Sequence, residues 1–570
     1  MHSMTANRRR RFWLLVSVAF VLALSFGCTS VEFSTLYENG ALATAAPIAT
    51  AVGVDVFKKG GNSFDVAVAV AFTLAVVHPE AGNIGGGGFA LIHDGQSGSV
   101  RALDFRETAP AAAHEKMFLD DSGEVVAGLS LNGAMACGVP GTVAGLHELW
   151  QRYGSMPWEE LVSVAAVLAD TGFVVDAYLE QSLNDNKEIL NRIAETAGIF
   201  YPNGRAPKAG DRLVQPDLAK TLYVIAAEGR HGFYEGGIAE RIVRCMARHG
   251  GLISAEDLRA YRTIWREPVH FDFDGYDVYS MSPPSSGGTI IGQIMKLIEP
   301  FDFVRYSPGS SDYIHLFTEA SRLAFADRSQ HLGDPEFYAV PAGLLDDAYL
   351  ENRREHIDLQ HASSSHNVSP GIPPENESDQ TTHFSVCDKN GNVVALTYTL
   401  NRSYGCGLVV DSSGFLLNNE MDDFSIKPGV PNLYGLVGGE ANKIGPGKRM
   451  LSSMSPTIVL EGKRPCLVLG APGGSRIITV VAQALVDYMR FNLNVVEICR
   501  QARFHHQWLP EILYLEQGGF DVNTIQDLIR FGHSIEECEP YSDLQIISVD
   551  ASGLMAPASD PRKRGTSGGL

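Results

Sequence analysis

The sequence Asp379-Gln380-Thr381-Thr382-His383-Phe384 marks an abrupt change in the character of the chain. Upstream, residues 362–380 contain almost nothing apolar and several residues that resist regular structure, which predicts an exposed linker. Downstream, residues 381–387 and 393–401 are rich in Thr, Val, Tyr and Phe, and the Asp-Lys-Asn-Gly-Asn segment at 388–392 predicts a β-hairpin between them. A linker that ends at a strand opening with Thr-Thr is the arrangement that a self-cleaving precursor needs.

A chain break before Thr381 would place a hydroxyl nucleophile and a free α-amine on one residue. An α-amine, with an unperturbed pKa of roughly 7.7–8.0, suits general-base work near neutral pH. One residue would then supply both nucleophile and base. The simpler interpretation is that Thr-Thr begins a strand because Thr favours strands.

The hairpin leaves two registers open. A loop with an odd number of residues centred on Asn390 places Thr399 opposite Thr381, where it can hydrogen-bond the Thr381 hydroxyl. A two-residue Asn390-Gly391 turn shifts the register by one and loses this pair.

Several longer motifs, in one order along the chain, resemble those of γ-glutamyltranspeptidases, N-terminal-nucleophile hydrolases that are made as self-cleaving proenzymes. The motifs that resemble the small subunit lie at residues 381–385, 397–401, 417–424, 451–456 and 472–476. Those that resemble the large subunit lie at residues 82–89, 104–110 and 283–288. The resemblance covers the chain from about residue 40 to its end.

The resemblance implies an α/β fold, the αββα sandwich of N-terminal-nucleophile hydrolases, with two stacked, mostly antiparallel sheets between helical layers. It implies cleavage between Gln380 and Thr381. Residues 28–380 would form the large subunit, with 362–380 as the exposed linker, and residues 381–570 the small catalytic subunit of a heterodimer.

The resemblance also implies a catalytic set. Thr381 is expected to attack the γ-amide carbon of glutathione or a related γ-glutamyl compound, with support from Thr399. Gly473 and Gly474 are expected to form the oxyanion hole, since glycines leave backbone N–H groups open to approach. The γ-glutamyl-enzyme would pass its acyl group to water or to an amino acid or peptide acceptor.

A substrate-binding set follows in the same way. The resemblance implies that Arg106, whose fork of donors suits a carboxylate, binds the α-carboxylate together with Ser452 and Ser453. It implies that Asn401, Glu420 and Asp423 supply acceptors for the α-ammonium group, and that Tyr434, in a lid loop, closes over the pocket. Without the resemblance, Arg106 would be interpreted as a surface residue paired with Asp104 or Glu107, Glu420 and Asp423 as a solvated turn, and the serines as a cap.

The composition excludes other partners. A formal charge of -21, with no concentrated basic face outside the N-terminus, argues against nucleic acid. The glycine run at residues 85–88 lacks the Lys-Ser/Thr of a phosphate-binding loop and favours close backbone packing. The adjacent His505 and His506 diverge on regular backbone, so neither a metal nor a cofactor is predicted.

Residues 1–27 have the pattern of a signal peptide. Four arginines at residues 8–11 precede an apolar run at 12–26 that is too short to span a bilayer comfortably. The chain is therefore expected to be exported, to the periplasm or to a membrane surface. The segment around Cys28 resembles a lipoprotein box, which leaves lipidation of Cys28, simple cleavage and an uncleaved anchor open. The basic run also resembles a twin-arginine signal.

The remaining seven cysteines are odd in number and widely scattered, so no disulfide framework is expected. Apolar spacing over residues 41–77, broken at 58–63, predicts two helices. Two rival functions stay open, a cephalosporin or glutaryl acylase on the same scaffold and a catalytically silent, surface-anchored homologue.

Overall fold

A computed structural model describes residues 32–371, 382–427, 430, 436 and 439–570. The compact unit spans Ser34–Leu570. Within the described residues, no helix combines the length and the apolar character needed to cross a membrane. The expected signal peptide and Cys28, the cleavage pair Gln380 and Thr381, and Tyr434 all lie outside the described residues.

The β-type runs of the sequence assemble into two stacked antiparallel sheets. The first has seven strands in the order β18-β1-β9-β10-β2-β3-β6, and the second has six in the order β17-β16-β12-β11-β8-β7. Two small sheets, β13-β14-β15 and β4-β5, lie apart from them. The strands are β1 Gly40–Thr44, β2 Gly87–Asp94, β3 Ser99–Phe105, β4 Phe173–Val174, β5 Arg212–Leu213, β6 Ile264–Arg266, β7 Val269–Phe273, β8 Tyr276–Ser280, β9 Thr382–Asp388, β10 Val393–Thr399, β11 Thr457–Glu461, β12 Arg464–Gly470, β13 Phe504–His505, β14 Leu513–Glu516, β15 Ile535–Cys538, β16 Gln545–Val549, β17 Met555–Ser559 and β18 Thr566–Gly569.

Helices cover the outer face of each sheet. Those before residue 261 share one apolar core with the seven-stranded sheet, and those after residue 286 share a second core with the six-stranded sheet. The helices are α1 Pro47–Lys58, α2 Ser63–Val77, α3 Thr142–Tyr153, α4 Trp158–Thr171, α5 Ala177–Asp185, α6 Lys187–Leu190, α7 Ala194–Phe200, α8 Pro216–Tyr234, α9 Gly236–His249, α10 Ala255–Ala260, α11 Gly287–Ile298, α12 Ser311–His331, α13 Asp347–Arg354, α14 Arg476–Met489, α15 Val495–Arg500 and α16 Val522–Phe531.

A third apolar cluster fills the space between the sheets. It takes Phe89 and Ala395 from the first sheet and Ile458 and Val468 from the second. Alternate residues of β9 and β10 therefore face the helices on one side and the opposing sheet on the other. This arrangement is the predicted αββα sandwich.

The prediction for residues 41–77 is partly wrong. Its two helices exist, but residues 41–44 belong to β1, which pairs with β9 and β18. This strand is buried along its whole length, and its run of small apolar residues carries neither the alternation of a half-buried strand nor enough length to identify a helix.

The described part of the predicted exposed linker, residues 362–371, is anchored rather than loose. The Ala362 amide donates to the Phe531 carbonyl at 2.6 Å, and Gly371 donates to Asp327 Oδ1 at 2.8 Å. Ser365 is buried and accepts from Arg322 Nη1 at 2.5 Å. Hydrogen bonds hold this segment, and Val368 packs partly buried against the second apolar core. The composition that predicts a linker does not show these contacts.

Candidate active site

The β9–β10 hairpin has the first of the two open registers. Thr382 pairs with Tyr398 and Cys387 with Val393, so residues 388–392 form a loop of odd length centred on Asn390. Thr399 ends β10, where its hydroxyl accepts from the Asn401 amide at 2.8 Å. Thr381 itself lies outside the described residues, so its pairing with Thr399 stays a prediction.

The glycine run beside Thr399 packs as predicted. A Cβ at Gly86 would lie 1.9 Å from the Thr399 carbonyl oxygen, and one at Gly85 would lie 2.1 Å from the Leu416 carbonyl oxygen. Asn83 completes the contact, because its Nδ2 donates to the Thr399 carbonyl at 2.8 Å and its Oδ1 accepts from the Gly86 amide at 2.9 Å. The large-subunit motif thus supports the end of the hairpin directly.

Arg106 is not the surface residue of the simpler interpretation, because it is 1 % exposed and lies among carboxylates. Its Nη1 donates to Glu420 and its Nη2 to Asp423. Its Nε and Nη2 also donate to the Met450 and Leu451 carbonyls at 3.2 and 3.1 Å. Four of the five donors of the guanidinium plane thereby have fixed directions.

Asn401 joins this cluster from the other side. Its backbone is left-handed, with φ of 71°, a conformation that Asn tolerates better than most residues. Its Nδ2 donates to Asp423 Oδ1 at 2.9 Å and to the Asn419 carbonyl at 3.1 Å. Glu420 and Asp423 bound a 3₁₀ turn that is buried throughout, so the solvated-turn interpretation is wrong.

Glu107 is a fourth ionisable member of the cluster, and its only predicted role was that of a surface partner for Arg106. Its Oε2 lies 3.7 Å from Arg106 Nη1, and neither carboxylate oxygen has a hydrogen-bond partner among the described residues. Burial raises its pKa to about 8, although the Arg106 charge opposes the shift. Its position next to Arg106 in the sequence was the available signal.

Three buried carboxyl groups thus surround one buried guanidinium. Burial, followed by the charge of Glu107, raises the pKa of Glu420, against the opposing pull of Arg106. Burial alone would lower the pKa of Arg106, but Glu420 and Asp423 raise it, so the guanidinium stays charged. We therefore expect the cluster to hold at least one shared proton near neutral pH.

Ser452 and Ser453 follow Leu451 and lie against the loop at residues 283–288. The Ser452 amide donates to the Pro284 carbonyl at 2.8 Å, and the Ser452 carbonyl accepts from the Ser286 amide at 2.7 Å and from the Ser286 hydroxyl at 2.9 Å. This contact crosses from the predicted large subunit to the predicted small one. It gives the 283–288 motif a supporting role that sequence reasoning did not assign.

Arg328, on α12, binds the hydroxyls of Ser286 and Ser453, and this role was not predicted. It is 1 % exposed, and its Nη2 donates to Ser453 Oγ at 2.6 Å while its Nε donates to Ser286 Oγ at 3.1 Å. Because Ser453 Oγ already accepts from a cation, its own hydrogen is left to donate to another acceptor. No local motif identifies Arg328, since it lies far along the chain from both serines, in a helix that carries several other charged residues.

Gly473 and Gly474 lie in the loop between β12 and α14, and both have positive φ, 129° and 73°. The loop is held from both sides. The Ser542 hydroxyl donates to the Pro472 carbonyl, and the Ser475 hydroxyl donates to Gln507 Oε1. These contacts fix the backbone of the loop. Neither glycine has a side chain that could cover its own N–H group.

His383 connects this loop to the hairpin. It faces the opposing sheet from β9, where a Cβ at Gly470 would lie 2.5 Å from its ring. Its Nδ1 lies 2.8 Å from Thr397 Oγ1 and its Nε2 lies 3.0 Å from Ser385 Oγ. Burial lowers its pKa to about 3, so it is neutral and packs between the two sheets.

One group of three potential metal ligands occurs among the described residues, formed by His315, Glu319 and His533. They already have protein partners. His315 Nδ1 lies 2.8 Å from His533 Nε2, and Glu319 Oε1 accepts from Arg322 Nε at 3.2 Å. His505 and His506 do not belong to this group. His505 is the last residue of β13, His506 follows it, and both are buried.

The structure therefore brings Arg106, Asn401, Glu420 and Asp423 into direct contact, with Ser452 and Ser453 next along the chain from Leu451. Residues 49–570 match the sequence model of the Gamma-glutamyltranspeptidase family.

The chain belongs to this family.

Its relatives agree with the match. The "Glutathione hydrolase proenzyme" of Escherichia coli (strain K12) is 49% identical over 527 residues, which are 92% of this chain and 90% of that protein. The structure of Helicobacter pylori gamma-glutamyltranspeptidase is 41% identical with a TM-score of 0.57, and the match covers 60% of this chain and 97% of that one.

A cephalosporin acylase from Bacillus halodurans is similar over a larger part of the chain. Its TM-score is 0.85 at 26% identity, covering 96% of this chain and 98% of that one. The γ-glutamyltranspeptidase family and this acylase thus share the αββα sandwich of N-terminal-nucleophile hydrolases with the present chain.

Proposed function

We propose that this protein is a γ-glutamyltransferase and glutathione hydrolase that matures by cutting itself before Thr381. The observation that carries the proposal is the buried Arg106 cluster, in which one guanidinium contacts Glu420 and Asp423 and Asp423 in turn accepts from Asn401. Such a cluster fits the α-carboxylate and α-ammonium groups of a γ-glutamyl substrate together.

The cluster can bind a zwitterion by exchanging its own ion pairs for pairs with the ligand. A zwitterion brings one anion and one cation into a buried site that already holds a cation paired with anions. Its carboxylate can take a place on Arg106 while its ammonium takes the released carboxylate oxygens, so the site gains no net charge. An acyl group that carried only a carboxylate would leave Glu420 and Asp423 competing with it for Arg106.

In the proposed maturation, the Thr381 hydroxyl attacks the carbonyl carbon of Gln380. The amide bond breaks as an ester forms, and water then hydrolyses the ester to leave a carboxylate on Gln380 and a free amine on Thr381. Residues 28–380 and 381–570 become the large and small subunits. The segment at residues 362–371 is held by hydrogen bonds and would stay with the large subunit after cleavage. Only the part of the predicted linker after residue 371 would then separate from Thr381.

In the proposed turnover, the α-amine of Thr381 takes the proton from its own hydroxyl, which attacks the γ-carbonyl of the donor. The backbone N–H groups of Gly473 and Gly474 stabilise the oxyanion. The leaving amine takes the proton, and water or an acceptor amine then attacks the γ-glutamyl ester. Thr399 would hold the Thr381 hydroxyl, consistent with the odd-length hairpin loop.

The finer parts of the proposal concern the surroundings. Tyr434 is proposed to close over the bound donor, and Ser452 and Ser453 to donate to its α-carboxylate. The protein is proposed to act after export, in the periplasm or at a membrane surface through lipid on Cys28. It needs neither metal nor cofactor in this scheme.

The test is a matched pair of anilides, γ-glutamyl anilide and glutaryl anilide, which differ only in the α-ammonium group. A γ-glutamyltransferase should prefer the first by about 10²-fold or more in kcat/KM, because a site with buried acceptors rejects an analogue that leaves them unpaired. Equal rates, or a preference for glutaryl anilide, would favour the acylase alternative. Absence of activity with both after confirmed cleavage would favour the silent homologue.

A further inference from the structure

Two cysteines that the proposed reaction does not use lie side by side. Cys137 Sγ and Cys406 Sγ are 3.5 Å apart, and the residues are 1 % and 2 % exposed. Cys137 follows the 3₁₀ turn Ala134–Ala136, whereas Cys406 lies in the loop after β10. The two belong to different chains once the precursor is cut before Thr381.

The backbone around the two thiols is held together independently of the sulfurs. The Gly133 amide donates to the Cys406 carbonyl at 3.1 Å. On the other side, the Gly138 amide donates to Asn418 Oδ1 at 2.8 Å, and Asn418 Nδ2 donates back to the Gly138 carbonyl at 2.9 Å. The two segments therefore cannot drift apart easily. Since a disulfide has an S–S distance of about 2.05 Å, closing the gap asks for roughly 1.5 Å of combined side-chain movement.

We propose that Cys137 and Cys406 form a disulfide that covalently joins the large and small subunits. The joining of subunits rests on the proposed cleavage, whereas the bond itself does not. The odd number of scattered cysteines predicted free thiols, and this one pair is the exception that only the folded chain brings together.

The oxidant is a low-molecular-weight disulfide. One cysteine thiolate attacks a sulfur of that disulfide and releases one small thiol, and the second cysteine attacks the mixed disulfide and releases the other. Two protein thiols are oxidised, one small disulfide is reduced to two thiols, and the two cysteine protons pass to the leaving thiolates. An exported protein would meet such an oxidant, in keeping with the expected export of this chain.

The burial of the two thiols determines the stage of folding at which the disulfide can form. The thiolate is the reactive form, and burial raises the pKa of the Cys137 thiol, as does its neighbour Cys406. Both thiols are also shielded from solvent in the folded protein, so we expect the bond to form while the chain folds and to be slow to reduce afterwards.

The cross-link would lie directly behind the ammonium-binding turn. Asn418, which holds Gly138, also accepts from the Glu420 amide at 3.0 Å through the same Oδ1 atom. The disulfide would keep this turn fixed against the large subunit after cleavage has removed the peptide link between the two chains.

The experiment starts with the full protein purified without reductant. It is unfolded in excess N-ethylmaleimide, digested with trypsin and analysed by mass spectrometry with and without prior reduction. We expect the peptides that carry Cys137 and Cys406 to appear linked before reduction and separate after it, and the two subunits to run as one band on a non-reducing denaturing gel.

Full alkylation of both Cys137 and Cys406, in the purified protein and again after refolding with hydroxyethyl disulfide, would overturn the proposal. Failure of cleavage is seen separately, because the reduced protein would then have the mass of one chain whether or not the linked peptide is found. A linked peptide in an uncut chain would leave the disulfide standing and remove only its role between subunits.

Matched variants isolate the effect of the bond. Cys245, a third buried cysteine, provides the control. Reduction should lower the Tm of oxidised wild type and of Cys245→Ser by several degrees, and should leave the Cys137→Ser/Cys406→Ser double variant unchanged. An equal fall in the double variant would show that the stabilisation comes from elsewhere.

Discussion

Two buried arginines contact the segment at residues 450–453, and they use their donors differently. Arg106 is surrounded by carboxylates, two of which it contacts directly. Arg328, equally buried, donates to the hydroxyls of Ser286 and Ser453. The first forms charge pairs that a zwitterionic ligand can exchange with its own groups. The second turns neutral hydroxyls into oriented donors, so the difference separates recognition of charge from orientation of groups.

The largest effect should come from neither arginine. If the two clusters only hold the substrate, then removal of the Thr381 hydroxyl should abolish both maturation and turnover, with kcat reduced by about 10⁴-fold or more. Denaturing mass spectrometry of Thr381→Ala should give one uncut chain. Thr382→Ala, the neighbouring residue of the same type, is the control and should still be cut. A Thr381→Ala protein that separates into two subunits would contradict the assignment.

The Arg106 side of the comparison predicts a loss that depends on the ligand's charge. Asp423→Asn keeps the shape of the side chain but removes an acceptor charge, and should raise KM for γ-glutamyl anilide by about 100-fold, since hydrogen bonds to charged groups are worth about 1.5–3 kcal/mol. The loss should be small for glutaryl anilide, which lacks the ammonium group.

Asp422→Asn is the matched control for this variant. Asp422 is the adjacent residue of the same buried turn, but its Oδ1 accepts from the Ser130 hydroxyl at 2.5 Å. Its substitution should leave the ratio of the two anilides unchanged. A similar shift of that ratio in both variants would mean that the turn, not the Asp423 charge, carries the effect.

The Arg328 side predicts a smaller and less selective loss. Arg328→Lys keeps the charge but loses the fork, so Ser453 is no longer held by Nη2. KM should rise by about 10-fold with kcat little changed, because one oriented donor to the carboxylate is lost. Steady-state kinetics on both anilides provides the measurement, and KM should rise for both, because both carry the carboxylate.

Arg322→Lys is the control, since Arg322 is buried on the same helix but binds Glu319 and Ser365 instead. It should leave KM unchanged. An unchanged KM in Arg328→Lys as well would remove Arg328 from the account of substrate binding.

The smallest effect concerns the shared proton of the Arg106 cluster. With its pKa raised to about 8, Glu107 keeps in the folded protein a proton that the unfolded chain releases above its ordinary value of 4.5. Stability should therefore fall as pH rises through this window, by up to about 1.4 kcal/mol per pH unit. Glu107→Gln, which is neutral throughout, should show a flatter dependence of Tm between pH 5 and 8. An identical dependence in wild type and variant would place the proton on another group.

The sequence predicted the sandwich because long motifs carry it, and it named the residues that the fold brings together around Arg106. Strand character and hairpin placement follow from the runs around residues 388–392, but only the folded sheet decides between the two registers. The buried strand β1 was missed because five small residues have no distinguishing period. The hydrogen bonds of residues 362–371 were not predicted, because composition reports what a segment can bury and not what hydrogen bonds it can make.

One physical reason explains why the sequence did not reveal the roles of Arg328 and Glu107. Arg328 lies in the last turn of α12, 125 positions from Ser453 in sequence, so no local pattern relates them. Glu107 was visible beside Arg106, but its burial among three other charged groups depends on the turn at Glu420–Asp423. Long-range contacts of this kind are a property of the fold and cannot be derived from spacing.

The central claim is that Thr381 becomes the N-terminal nucleophile, and the most direct measurement is the intact mass of the wild-type protein under reducing, denaturing conditions. The account predicts two chains, the smaller with the mass of residues 381–570 and Thr at its N-terminus. A single uncut chain with full γ-glutamyltransferase activity, or a small chain that begins at any other residue, would contradict it.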